Sequence, residues 1–228
     1  MILGVAWKPA GYPRRRARRN AGYGRGRAGC LGSTDDDLLR SDGVDMSRLT
    51  MPPDERRDHV RGDPDAPVEL VEYGDYECPY CGLAHPIVQE LERRIGQLFK
   101  FAFRHFPLAQ VHPHARNAAY AAEAAGMQGR FWEMHDILFD NQQNLGDRDL
   151  LAYAEALDLD IRQFVADMNS PEVAQKVRDD FMSGVRSGVN GTPTFFINGE
   201  RHDGSYQLEA LAEAIGRAAQ SRVREPVA

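Results

Sequence analysis

Cysteine is scarce in this chain, three residues in 228, and two of them, Cys78 and Cys81, stand as Cys-Pro-Tyr-Cys. A dithiol exchanges electrons with a disulfide by thiolate attack. One sulfur must be partly deprotonated near neutral pH, and a second must lie within reach to resolve the mixed disulfide. A C-x-x-C at the start of a helix meets both needs. Free amides and the positive end of the helix dipole stabilise the first thiolate, by about 0.3 to 2 kcal/mol from the dipole alone, and the second sulfur, one turn in, is shielded from that field. Cys78 is therefore expected to be the nucleophile, with its pKa below the ~8.5 of free cysteine, and Cys81 the resolving thiol. Glu77 beside Cys78 opposes the thiolate, and Glu77 and Asp75 both read as solvent-facing. The competing chemistry is half of a zinc site. Zinc needs two more ligands, but there is no second C-x-x-C, Cys30 lies in a distant Gly/Arg-rich stretch, and the nearest candidate, His85, shares the same helix surface. No metal and no cofactor are assigned.

The elements that must position these sulfurs can be read on both sides of them. Residues 67–76, rich in Val and Tyr and bounded by Pro67 and Gly74, form a strand. From Pro79 to Gly96 the apolar Ile87, Val88, Leu91 and Ile95 recur at helical spacing, which puts Cys78 at a helix N-terminus. Phe99, Phe101 and Phe103 alternate with Lys100, Ala102 and Arg104, a second strand. Strand, helix, strand is the parallel βαβ unit. Residues 113–188 carry only helical patterns, divided by an Asp147 cap, an Asp160/Gln163 pair resembling a capping box and a Ser170-Pro171 start. Residues 194–198 read as a strand, Asn198-Gly199 as a hairpin turn, and 205–220 as a closing amphipathic helix. Arg104 is a candidate partner for an acid of the helical stretch, and His105, His112 and His114 read as surface or core-edge residues.

Composition bounds the rest. A mean hydropathy of -0.52 and the lack of any apolar run near ~18 residues argue against a membrane span, and no membrane partner is expected. The net charge of -6 conceals an Arg/Gly-rich arm over the first thirty residues that contains no acid. Such an arm can gather nucleic acid by counterion release, but without apolar periodicity it reads more simply as a disordered leader, so nucleic acid is not assigned as a partner. MILGVAW is too short for a signal h-region, and the expected compartment is the cytoplasm.

The runs VELVEYGDYECPYC, FRHFPL (103–108) and NGTPTFFING (190–199) resemble the DsbA-like thiol:disulfide oxidoreductases over about residues 57–220. The resemblance implies an α/β, thioredoxin-like fold with an inserted helical domain. The division is a disordered arm over 1–56, core over 57–112, helical insertion over 113–188, core again over 189–222 and a tail over 223–228. It implies that Pro193 is cis and sets the Thr192 backbone beside the cysteines to pair with a bound peptide. Pro79, Tyr80, Thr192 and Pro193 are the substrate-contacting residues on this reading. Glu72, six residues before Cys78, matches the family's buried acid. As a carboxylate on a strand covered on both faces, it would have a raised pKa and relay a proton for Cys81; the alternative is an exposed carboxylate at a strand end. Strongly oxidising members place His where Tyr80 stands, so a potential of about -150 to -250 mV is expected. The activity expected is thiol:disulfide exchange with protein or low-molecular-weight disulfide and thiol substrates, with glutathione or another thiol as redox partner. A redox-sensing peptide-binding or holdase module is the alternative.

Overall fold

The computed structural model describes residues 47–224. Its strands are β1 (His59–Gly62), β2 (Val68–Gly74), β3 (Phe99–His105), β4 (Thr194–Ile197) and β5 (Glu200–Arg201). They form a sheet of order β1-β3-β2-β4-β5, in which only β2 and β3 run parallel. Between β2 and β3 lies α1 (Pro79–Ile95). Between β3 and β4 come α2 (Ala115–Gly126), α3 (Phe131–Asp140), α4 (Asp147–Ala156), α5 (Ile161–Met168) and α6 (Pro171–Arg186), and α7 (Leu208–Arg224) closes the chain. This is the thioredoxin-like arrangement, a mixed sheet with helices.

Central β2 is covered on both faces. Val68 and Leu70 join Phe99, Phe101 and Phe103 in a core with Val88, Leu91, Leu211 and Ile215, from α1 and α7. On the opposite face Val71, Tyr73, Ala102, Phe106 and Phe196 pack together with Phe181 of α6 against them. The alternation in β3 therefore separates two buried faces, and Arg104 is fully buried. Its partner is not an acid of the helical stretch. Arg104 Nε and Nη2 each donate to Asp58 at 2.9 Å, and Nη1 donates to Tyr73 Oη at 2.9 Å. A guanidinium taken out of water needs a matched carboxylate, and Asp58, at the foot of β1, supplies it.

Residues 1–46 and 225–228 lie outside the described residues, and most of the expected arm with them. Residues 47–56 differ from that expectation. Leu49 N donates to Gly199 O at 2.8 Å, Thr50 N to Ser187 Oγ at 2.9 Å, and Met51 O accepts from Arg104 Nη1 at 2.8 Å. A backbone that completes the hydrogen bonds of a buried arginine belongs to the packed body, and β1, which follows it, is a strand that the apolar pattern does not reveal. Helix starts follow local chemistry more closely. Asp160 accepts from Gln163 N and Ser170 from Val173 N. Asp147 is the first helical residue of α4, whose cap is Gly146. Asn198 and Gly199 take φ of 49° and 80°, the left-handed geometry that joins β4 to β5 tightly. Among the described residues no helix is long and apolar enough to cross a membrane.

Candidate redox site

Cys78 is the N-cap of α1, extended at φ -74° and ψ 122°, with Pro79 as the first helical residue. Its backbone is held on both sides: Cys78 N donates to Asp75 O at 3.1 Å, and Cys78 O accepts from Gly82 N at 3.1 Å. The Cys78 thiol donates to Thr192 O at 3.4 Å, which brings the loop before β4 onto the sulfur. The Thr192–Pro193 bond is cis. Cys81 is wholly buried and its sulfur accepts from Asp75 N at 3.5 Å. Tyr80 projects outward with 61% of its surface exposed.

The two sulfurs titrate in opposite directions. The Cys78 thiol is lowered to about 5, first by the hydrogen bond from Cys81, against the desolvation that raises it, and then by Thr192 and the amides of Cys81 and Tyr80. Thr192 Oγ1 is buried without a hydrogen-bond partner. Cys81 is pushed well above the ordinary thiol value by burial, by its bond to Cys78 and by the charges of Glu72 and Cys78.

Glu72 lies mid-strand in β2, paired with Phe103 on one side and Phe195 on the other, and only 2% of it is exposed. Its Oε1 has no hydrogen-bond partner. Burial pushes its pKa up to about 8; Arg61 opposes the rise, and the charge on Cys78 adds to it. The exposed strand-end alternative is therefore excluded by position. Glu72, Cys78 and Cys81 occupy one electrostatic neighbourhood, since each sulfur and the carboxyl act on one another.

Asp75 does not face solvent. It is 2% exposed, accepting from Leu108 N at 2.8 Å, His112 Nδ1 at 2.7 Å and Glu77 N at 2.8 Å. It ties the segment before Cys78 to the loop after β3, and Glu77 turns to His114 N at 2.6 Å. His105, buried, bonds Glu123 instead, at 2.8 Å. Among the described residues two groups have metal-ligand composition, His85/His135/Asp136 and His105/Glu123/Asp180. In each a protein cation faces the carboxylate: Arg61 lies 3.6 Å from Asp136, and Lys176 lies 2.7 Å from Asp180 and 3.5 Å from Glu123.

Sequence patterns do not single out Gln142. Its side chain, from the turn after α3, donates to both Tyr76 O and Cys78 O at 2.8 Å. The one local trace of it is Gly82, a glycine inside α1: a Cβ there would lie 2.0 Å from Gln142 Oε1.

A thiol lowered to about 5 at a helix start, a buried resolving thiol and a buried carboxyl beneath them define a thioredoxin-fold dithiol centre. A family model described as Thioredoxin matches residues 54–217, and the chain belongs to that family. The likeness to its DsbA-like members holds in three dimensions. A thioredoxin-like oxidoreductase from Silicibacter pomeroyi DSS-3 is 30% identical, with a TM-score of 0.66 over 72% of this chain and 93% of that one. BdbD from Bacillus subtilis shares the fold at 22% identity, with a TM-score of 0.65 over 76% of this chain and 99% of that one.

Curated relatives overturn the expected function. The protein named Na(+)/H(+) antiporter NhaA 1 of Salinispora arenicola is 52% identical over 73% of this chain, and Na(+)/H(+) antiporter NhaA 3 of Salinispora tropica is 50% identical over 77%. The chain spans about a quarter of their length, 26% and 27%. The expectation of a thiol:disulfide oxidoreductase defined by exchange with protein or small-thiol substrates, and the alternative of a redox-sensing peptide-binding module, are both corrected by these names. Relatives this close carry the name of an ion transporter, and a C-x-x-C motif holds no information about what a larger protein does with its dithiol.

Proposed function

We propose that this chain is a DsbA-like oxidoreductase domain whose Cys78/Cys81 couple serves a sodium/proton-antiporter type of protein. The observation that carries the redox part is the placement of the pair, Cys78 at the N-cap of α1 with its thiol on Thr192 O and Cys81 buried in the first turn, with Glu72 buried mid-strand. In that setting Cys78 is lowered to about 5, Cys81 is raised well above the thiol range and Glu72 is raised to about 8. At neutral pH Cys78 is a thiolate and Cys81 keeps its proton. When Cys78 is joined to a partner sulfur its negative charge is gone, the pKa of Cys81 falls, and Glu72 in its ionised fraction accepts the Cys81 proton. Cys81 then attacks Cys78 Sγ, the partner sulfur leaves with the electron pair, and an internal disulfide remains; reduction runs the same steps backward. A carboxyl with a pKa near the working pH can act in both directions. The antiporter part rests on the 50–52% identity to proteins of that name.

Two experiments test the reading. Equilibration in thiol/disulfide buffers followed by acid quench and alkylation is expected to show one two-electron transition, lost in Cys78→Ser; no transition overturns the redox assignment. For the antiporter part, the matching quarter of the Salinispora arenicola protein is replaced by this chain, and sodium-driven proton flux is followed in vesicles held oxidised or reduced. A redox dependence abolished by Cys78→Ser is expected, and identical flux in both states overturns the association.

A further inference from the structure

We propose that Gln142 is a positioning residue for the dithiol, the point through which the helical segment between β3 and β4 sets the state of Cys78. The inference rests on the redox reading above. Gln142 sits in the turn after α3, outside the strand-helix unit that carries the cysteines. One carboxamide nitrogen supplies two protons, and each goes to a carbonyl flanking the nucleophile, Tyr76 O and Cys78 O, both at 2.8 Å. Cys78 O also accepts from Gly82 N in the first turn of α1. Gln142 thus holds the Tyr76–Glu77 and Cys78–Pro79 peptide planes, Cys78 N on Asp75 O holds the plane between them, and together they fix the direction in which the amides of Tyr80 and Cys81 point at the sulfur.

Gly82 is an independent sign of this arrangement. Glycine inside a helix costs about 1 kcal/mol relative to alanine, so its presence in the first turn of α1 calls for a reason. That reason is Gln142: a Cβ at residue 82 would stand 2.0 Å from Oε1 and 2.6 Å from Cδ. Those atoms end a flexible side chain, so Gly82→Ala is accommodated by expelling the carboxamide. The glycine and the glutamine therefore form one device.

The test is a double-mutant cycle read by thiolate absorbance at 240 nm against pH in the reduced protein, with urea unfolding in parallel. Gln142→Ala, Gln142→Met and Gly82→Ala are each expected to raise the Cys78 midpoint by about one pH unit. That is a ~10-fold loss of thiolate below the midpoint, the size of one hydrogen bond acting on one protonation state. Gln142→Met keeps the approximate size of the side chain without donors and without adding a charge, so it separates hydrogen bonding from packing. Gly82→Ala combined with Gln142→Ala is expected to shift the midpoint no further than Gln142→Ala alone, because the methyl group then meets no carboxamide. Wild-type midpoints in Gln142→Ala and Gln142→Met, or shifts from residues 82 and 142 that add, overturn the proposal. A wild-type midpoint at the ordinary thiol value overturns the redox reading instead, whatever the variants do. If one variant fails to fold, the remaining two decide the outcome.

Discussion

Glu72→Gln should change the pH dependence of stability more than stability itself. The carboxyl is buried mid-strand and titrates at about 8, against 4.5 when free in solvent. Between those values the unfolded chain releases a proton that the folded chain keeps, so stability falls as pH rises, by about 1.4 kcal/mol per pH unit for this one group. The loss begins near the free value and is complete above the folded one. Glutamine does not titrate and shows no such slope. Its buried amide carries a constant cost, which cancels when the two proteins are compared across pH. Cys78 acts in the opposite direction, since its folded pKa is depressed to about 5 and stability gained from it grows as pH rises from there toward the free thiol value. That contribution is common to both proteins and largely drops out of the difference. The expected result is that the Glu72→Gln variant gains on wild type by about 4 kcal/mol between pH 5 and pH 8 and no further above that, an upper bound because charge at Cys78 and Arg61 is coupled to Glu72. Urea unfolding of the reduced proteins at unit pH intervals measures it. Parallel stability curves for the two proteins would refute the buried, neutral Glu72.

Alkylation of Cys78 in wild type should follow a thiolate fraction that rises through pH about 5, while Cys81 stays unreactive to above the ordinary thiol range; equal reactivity of the two by peptide mapping contradicts the opposed titrations. Tyr80→His should make the couple more oxidising by about 30 mV, because a donor or cation beside the thiolate favours the reduced form. An unchanged or more negative potential in glutathione titration rules that out. Asp58→Asn leaves the buried Arg104 guanidinium without its counter-charge and should cost about 3 to 5 kcal/mol in urea unfolding, since both partners are fully buried. A loss under ~1 kcal/mol, the size of a surface pair, would show the guanidinium to be solvated.

Local chemistry determines much of this protein. The apolar spacing after Pro79 places Cys78 at a helix start, the Phe alternation marks β3, and Asp160, Ser170 and Asn198-Gly199 act at their own positions in the chain. Each depends on residues within a turn or two, so sequence reports it directly. The helical stretch between β3 and β4 is legible for the same reason. What the chain does with its dithiol is not legible, because the motif encodes electron exchange and the matched segment is only about a quarter of the antiporter-named relatives.

Tertiary structure alone decides the rest. Whether Glu72 is an exposed acid or a buried one depends on Phe103 and Phe195, which flank it from strands distant in the chain. Asp75 and Arg104, polar in type, are buried because distant groups satisfy them: His112 and the Leu108 amide for the first, Asp58 and the carbonyls of residues 51 and 52 for the second. β1 is too short and too polar to declare itself, and it exists as a strand because β3 offers an edge to pair with. Gln142 reaches the carbonyls beside Cys78 from 64 residues away. Burial and long-range hydrogen bonding are properties of the folded neighbourhood, and no local pattern of residue types carries them.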